Sequence, residues 1–189
     1  VSQALRSREF WLLGIAHATS LLTWGALRVH QIPALVDMGL TEQTAANVFS
    51  LMLVVAAVGR ILGGSLGDLV GTRKVLIVSI LVQAAAMASL TFASTLLHAL
   101  AAAVVFGIGL GARCTLLTVL RSEVFGRTNF SRLAGLMDPI STVGVAAAPL
   151  YAGYYFDTHG DYEGAFLILA VLSTVSALLL MGIRLPRHH

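Results

Sequence analysis

The chain has 189 residues, 57% of them hydrophobic and only 11% charged, with a formal net charge of +3 and a mean hydropathy of +0.87. A soluble domain carries about a quarter charged residues, so this composition excludes a water-soluble globule and points to membrane helices. One cysteine, Cys114, excludes a disulfide framework and a Cys-x-x-Cys metal or redox centre; the basic residues are not interleaved with aromatics on one face, as nucleic-acid binding would require.

Stretches long enough to cross a bilayer, about 20 apolar residues each, lie near 10–33, 45–67, 75–93, 97–120, 133–156 and 165–183. A soluble bundle would show a polar stripe on each helix, and "AFLILAVLSTVSALLLMGI" has none. The first span contains His17, which reads as a packed or cavity histidine. Arg28 and His30 near its outer end fit either an outer gate or interfacial anchors. The second span carries Arg60 and runs into "GGSLGDLVGTRKVL", residues 63–76. Glycines 63, 64, 67 and 71 there permit a tight turn and close helix approach. The fourth span carries Arg113 and "GIGLGA". That hexapeptide fits the dinucleotide fingerprint, but it sits inside an apolar span with no preceding strand. Gly107 and Gly111 instead form a GxxxG packing face. The fifth span holds Asp138, and Pro33, Pro139 and Pro149 bend their helices where neighbours re-satisfy the backbone.

Loop charges set an orientation. One set of ends carries Arg6, Arg8, Arg73, Lys74, Arg121, Arg127, Arg132, Arg184 and Arg187. The opposite loops carry Asp37, Glu42, Asp157, Asp161 and Glu163 and no Lys or Arg. The positive-inside rule places the basic ends, and with them both termini, in the cytoplasm. Arginine far outnumbers lysine, the usage of a GC-rich bacterial genome, so the expected location is a bacterial inner membrane. The chain opens on Val1 with no n-region, h-region and cleavage site, which reads as no signal peptide.

An internal repeat sits at equivalent helix ends. Gly64, Asp68 and Gly71 follow GxxxDxxG at the end of the second span, and Gly153, Asp157 and Gly160 follow it at the end of the fifth. Copies three spans apart face opposite sides, the mark of an inverted 3+3 repeat, a common plan of secondary transporters.

"GSLGDLVGTRK" resembles the loop motif of the major facilitator superfamily, G-x-L-a-D-r-x-G-r-[RK]. Gly64, Leu66, Gly67, Asp68, Gly71 and Arg73 match it, while Leu69 and Thr72 depart where the family often has arginine. "ALRSREFWLL" is similar to the start of the seventh helix of such transporters, and "SEVFGRTNFSRLAG" to the loop between helices ten and eleven. "APLYAGYYFDTHGDYEGAFLILA" is similar to the eleventh-to-twelfth turn of the oxalate/formate antiporter and monocarboxylate transporter-like branch. The resemblance implies an all-α membrane protein: six helices as an inverted 3+3 repeat, residues 1–189 being the C-terminal half of a twelve-helix transporter. The lack of an initiating Met fits a fragment whose partner is the missing N-terminal half.

Gly64, Asp68, Gly71 and Arg73 are the candidate gating motif. Asp68 can meet the positive end of a neighbouring helix, or a loop arginine such as Arg73 or Arg127, in one conformation only, forming a cytoplasmic latch. The plainer reading is that Arg73 and Lys74 fix topology and Asp68 caps. Arg28, Arg60, Arg113 and Asp138 fall within spans, where charges are costly and need partners or a watery cavity. Arg60 and Arg113 each lie eight residues before a helix-end charge, about 12 Å in, and Asp138 six residues past Arg132, about 9 Å in. The expectation is one layer, Arg60, Arg113 and Asp138, net positive and suited to a carboxylate. In the resembled branch an arginine on helix eight contacts carboxylate, and Arg60 falls at that position. The acid found four residues earlier in monocarboxylate carriers is here Ala56. The alternative is a buried Arg113–Asp138 pair, with Arg60 in the latch.

The function expected is secondary active transport of a small organic anion, a mono- or dicarboxylate, by alternating access, with no cofactor, no metal, no catalytic residue and no nucleic-acid partner. The alternatives are a six-helix membrane enzyme, thinly supported without HExxH, GxSxG or P-loop signatures, and a non-transporting partner pairing through small-residue faces.

Overall fold

The computed structural model describes residues 7–126 and 130–183. Six helices make up the fold: α1 (Arg8–Asp37), α2 (Glu42–Val70), α3 (Thr72–Thr91), α4 (Leu96–Phe125), α5 (Phe130–His159) and α6 (Glu163–Met181). All six are long and apolar enough to cross a membrane, and no strand occurs among the described residues. Each expected span is helical, but α1, α4 and α5 run about a turn beyond their apolar stretches at one or both ends. Side-chain caps start three of the helices: Ser7, Thr41 and Thr95 accept hydrogen bonds from the amides of Phe10, Thr44 and His98 at 3.2, 3.2 and 3.3 Å. Such caps satisfy first-turn N–H groups and let a helix begin in polar surroundings.

The repeated motif has the same backbone role in both copies. Gly71 and Gly160 have φ of +106° and +81°, a conformation without a Cβ penalty only for glycine, and each closes a turn between successive helices.

Packing repeats as well. α2 packs on α4 as α5 packs on α1; α3 packs on α4 as α6 packs on α1; α3 and α6 meet each other. Exchanging the first three helices with the last three reproduces this pattern, so the inverted 3+3 architecture is present in the contacts and not only in the motif. Glycines seat both principal crossings. At the α2–α4 crossing a Cβ on Gly59 would stand 2.5 Å from the Ile108 carbonyl oxygen, and one on Gly107 2.5 Å from that of Met52. At the α1–α5 crossing a Cβ on Gly25 would stand 2.6 Å from the Val145 oxygen, and one on Gly144 2.8 Å from that of Ala18. Pro149 cannot donate to the Val145 carbonyl four residues earlier, and Gly25 packs against that oxygen. Lipid tails are as apolar as leucine, so this close backbone packing supplies much of what holds such helices together.

At the basic end, Arg73 donates to the Ile183 carbonyl (2.5 Å) and Thr72 to the Glu123 carboxylate (2.6 Å). At the acidic end, His30 joins α1 to α5 and to the start of α6. Its Nε2 bonds the Pro149 carbonyl (2.9 Å) and its Nδ1 the Tyr162 hydroxyl (3.2 Å). A carbonyl only accepts, so Nε2 carries the proton and the tyrosine donates to Nδ1. Burial, with Asp37 and Asp157 nearby, raises the Tyr162 pKa above the usual phenol range and keeps that donor in place.

Candidate functional site

The α2–α4 crossing builds the site. A Cβ on Gly111 would overlap the Ala56 carbonyl oxygen and come within 2.7 Å of the Arg60 amide nitrogen. A bare glycine is therefore what lets the backbone of Arg60 lie directly against α4. Arg113 follows two residues later, and Thr115 donates to the Arg60 carbonyl at 3.4 Å. Both arginines consequently line one cavity of about 360 Å³ between α1, α2 and α4, with Trp24, Ala56 and Cys114 among its other walls. The Trp24 ring is fixed by parallel stacking on Phe49, with centroids 6.5 Å apart.

The two guanidiniums are in different states. That of Arg60 is exposed and has no hydrogen bond or ion pair among the described residues. Arg113 is only 1% exposed. Its Nη1 donates weakly to Ser20 Oγ at 3.4 Å, while Nε and Nη2 have no partner. Buried cations are normally paired, because desolvation costs several kcal/mol unless a counter-charge restores it. No carboxylate lines the cavity. An anion entering it would meet the exposed guanidinium of Arg60 and the positive field of Arg113.

Asp138 is not in this layer. Its carboxylate pairs with Arg121 at 3.6 Å, the acid side chain 63% exposed and the arginine 10%. The alternative reading, an Arg113–Asp138 pair, is not formed either: the partner of Asp138 is Arg121. Helix length is the reason: α4 continues to Phe125, so Arg121 belongs to the helix and not to a loop. Eight residues advance a helix by more than two turns with about 80° of rotation, so Arg113 turns to Ser20 of α1 and Arg121 to Asp138 of α5. Residue counting sets depth but not azimuth.

Of the gating candidates, Gly64 has room for a side chain, since an added Cβ would meet only Thr115 Cγ2 at 3.8 Å, and Gly71 makes the turn described above. Asp68 is exposed with no partner among the described residues, and Arg73 is held by the end of α6 rather than by Asp68. Arg127, the other expected latch partner, lies outside the described residues, as do Arg6, Arg184 and Arg187. Arg28 is exposed and unpaired among the described residues, whereas His30 is the three-helix clip at the acidic end. The sequence reading counted Arg121 only as a charge at a helix end, and it passed over Trp24 and Gly59. Gly59 was within reach of it, since it extends Gly63 and Gly67 into a stripe at four-residue spacing.

Comparison with known proteins gives a consistent picture. The family model described as Major Facilitator Superfamily matches residues 13–189. Among curated relatives, Monocarboxylate transporter 12 of Mus musculus is 28% identical over 183 residues, covering 95% of this chain and 38% of that protein. The niacin transporter NiaP of Acinetobacter baylyi is 26% identical over 158 residues, covering 84% and 36%. Among solved structures, the E. coli fucose:proton symporter superposes with a TM-score of 0.81 at 20% identity, covering 95% of this chain and 44% of that one. An autoinhibited POT family peptide transporter superposes with a TM-score of 0.80 at 19% identity, covering 97% and 40%. The chain thus spans less than half the length of each.

Proposed function

We propose that this chain, which belongs to the Major Facilitator Superfamily, forms the C-terminal six-helix half of a twelve-helix secondary transporter and carries one wall of its binding site for a small organic anion. The observation that carries the reading is Arg113: a buried guanidinium whose Nε and Nη2 have no partner among the described residues, lining a cavity with the unpaired Arg60 and with no acid among its described lining. Such a site is incomplete without an anion, and a carboxylate matches a planar fork of N–H donors. The relatives' names, monocarboxylate and niacin transporters, point to the same ligand class. The family is one of transporters, which sets the six-helix-enzyme alternative aside.

The second half of the transporter would cover α2 and α5. Burial is lowest on these two helices, and they leave Val54, Ile61 and Leu69, and Val143 and Leu150, exposed. The inverted repeat makes the two helices equivalent, so a pseudo-symmetric partner can use both at once, and its own wall would complete the cavity near the midplane. In this reading the protein sits in a bacterial inner membrane with its basic end and both termini cytoplasmic. Gly64, Asp68, Gly71 and Arg73 work at that end as a latch that forms and breaks in alternating access, while Arg28 and His30 lie at the outer gate.

The test is substrate affinity in the full-length transporter. Arg60→Lys keeps the charge and loses the two-pronged donor. Loss of charge-assisted bonding, about 1.5–3 kcal/mol, weakens binding by about tenfold or more. Unchanged affinity removes Arg60 from the site.

A further inference from the structure

Arg113 is one of four buried polar side chains that share a level inside the bundle. Ser20 of α1, Gln83 of α3, Arg113 of α4 and Ser173 of α6 each lie about two to three helical turns from the inner end of their helix. Each is at most 1% exposed. Contacts bring the four together. Arg113 donates to Ser20. A Cβ on Gly109, one turn before Arg113 on the same face of α4, would stand 2.7 Å from Cγ of Gln83. Ser176 donates to the Ala16 carbonyl. Because α1 and α6 run in opposite directions, Ser173, one turn back on α6, comes level with Ser20, one turn on along α1. α2 and α5, the helices turned toward the second half in the reading above, contribute none of the four. The level is enclosed by this chain alone.

Hydrogen bonding there is unfinished. Nε and Nη2 of Arg113, both amide atoms of Gln83 and Oγ of Ser173 have no partner. The Gln83 amide is orphaned whichever way it is turned, so a flip does not mend it. Polar atoms left dry in such an interior are costly. The set contains donors on all three residues and an acceptor in Gln83 Oε1. A metal cation would be repelled by the guanidinium, and a halide would suit the donors but not the amide oxygen. Water serves both, and buried water typically makes about three hydrogen bonds to groups of this kind. The bare Gly109 is what admits Gln83 to this level.

We propose that the centre of the six-helix half is a water site, in which ordered water joins Gln83 of α3 and Ser173 of α6 to the guanidinium of Arg113. Water is neutral. It satisfies donors of Arg113 without cancelling their charge, so the arginine stays buried with no carboxylate beside it and its field still reaches the neighbouring cavity. The inference goes beyond the organic-anion reading and does not depend on it.

Thermal stability of the full-length transporter in detergent tests it. Gln83→Met and Ser173→Ala each remove one side of the water site and leave the Arg113 donors in place, so each should lower Tm by about 2–4 °C. Both remove the same water, so the double variant should lose little more than either single one. A rise in Tm for either variant would overturn the proposal, since apolar replacement relieves polar groups that are buried dry. Additive losses would overturn the shared water. Exchanging chloride for gluconate at constant ionic strength should leave the Tm of the unmodified protein unchanged. A chloride-specific stabilisation that Gln83→Met abolishes would assign the site to an anion instead. Should the variants not fold, a water-resolving cryo-electron microscopy map of the unmodified protein decides: density between Gln83 and Ser173 is expected, and a direct bond between those side chains overturns the site. Organic-acid affinity measured on the same samples reports on the cavity reading separately.

Discussion

The Gly111→Ala substitution isolates the geometric claim that the α2–α4 crossing positions the two arginines. The added methyl would sit 2.7 Å from the Arg60 amide nitrogen and 2.9 Å from the Ala56 carbonyl carbon, and would overlap the Ala56 oxygen. These are main-chain atoms of a helix, which cannot rotate away as a side chain can. Ordinary contact begins at 3.4 Å, so relieving the nitrogen clash alone moves α2 by about 0.7 Å, and the carbonyl demands more. Overpacking of this kind costs about 1–3 kcal/mol. In a membrane, where packing and not water drives helix association, little else would absorb it. Arg60 would move with α2 while Arg113 stays with α4, so the carboxylate could no longer meet both forks, and affinity should fall by about tenfold or more. Gly64→Ala is the packing control: its Cβ would meet only Thr115 Cγ2, at 3.8 Å, and should leave thermal stability unchanged. The assay pairs thermal stability in detergent with substrate affinity for both variants of the full-length protein. Gly111→Ala protein with wild-type melting and affinity would refute the reasoning, because the helices would then tolerate the methyl without moving the site.

The Arg121–Asp138 pair predicts non-additivity. Arg121→Gln leaves an exposed acid and should be mild, Asp138→Asn strands a buried guanidinium and should lower folded yield, and the double variant should recover it; additive losses would show that the 3.6 Å contact carries no coupling. Topology can be read by cysteine labelling in a Cys114→Ser background: thiols at Met38 and Asp161 should react from outside and one at Lys74 only from inside, and outside labelling of position 74 in sealed cells would invert the orientation. Residue 72, though in the same turn, is unsuitable, since Thr72 is buried and bonded to Glu123.

Much of this protein was legible in one dimension. Apolar stretches of bilayer length, charge segregated to alternate loops and glycine at each repeated turn are local properties, and the six helices and the φ > 0 turns at Gly71 and Gly160 follow from them. The GxxxG reading of Gly107 and Gly111 also survives, because close approach needs no more than absent side chains at helical spacing. Azimuth was not legible. In lipid every face of a helix can be apolar, so no contrast between a polar and an apolar side marks which one meets a neighbour, and residue counting yields depth alone. That Arg113 turns to Ser20 and shares a cavity with Arg60, while Asp138 turns instead to Arg121, was decided by which helices the glycines allow to touch. The wall of that cavity is likewise a product of three helices distant in sequence. Trp24, Arg60 and Arg113 come to line one cavity only when α2 lies against Gly111 of α4, and backbone contact at that crossing is a property of the assembled bundle.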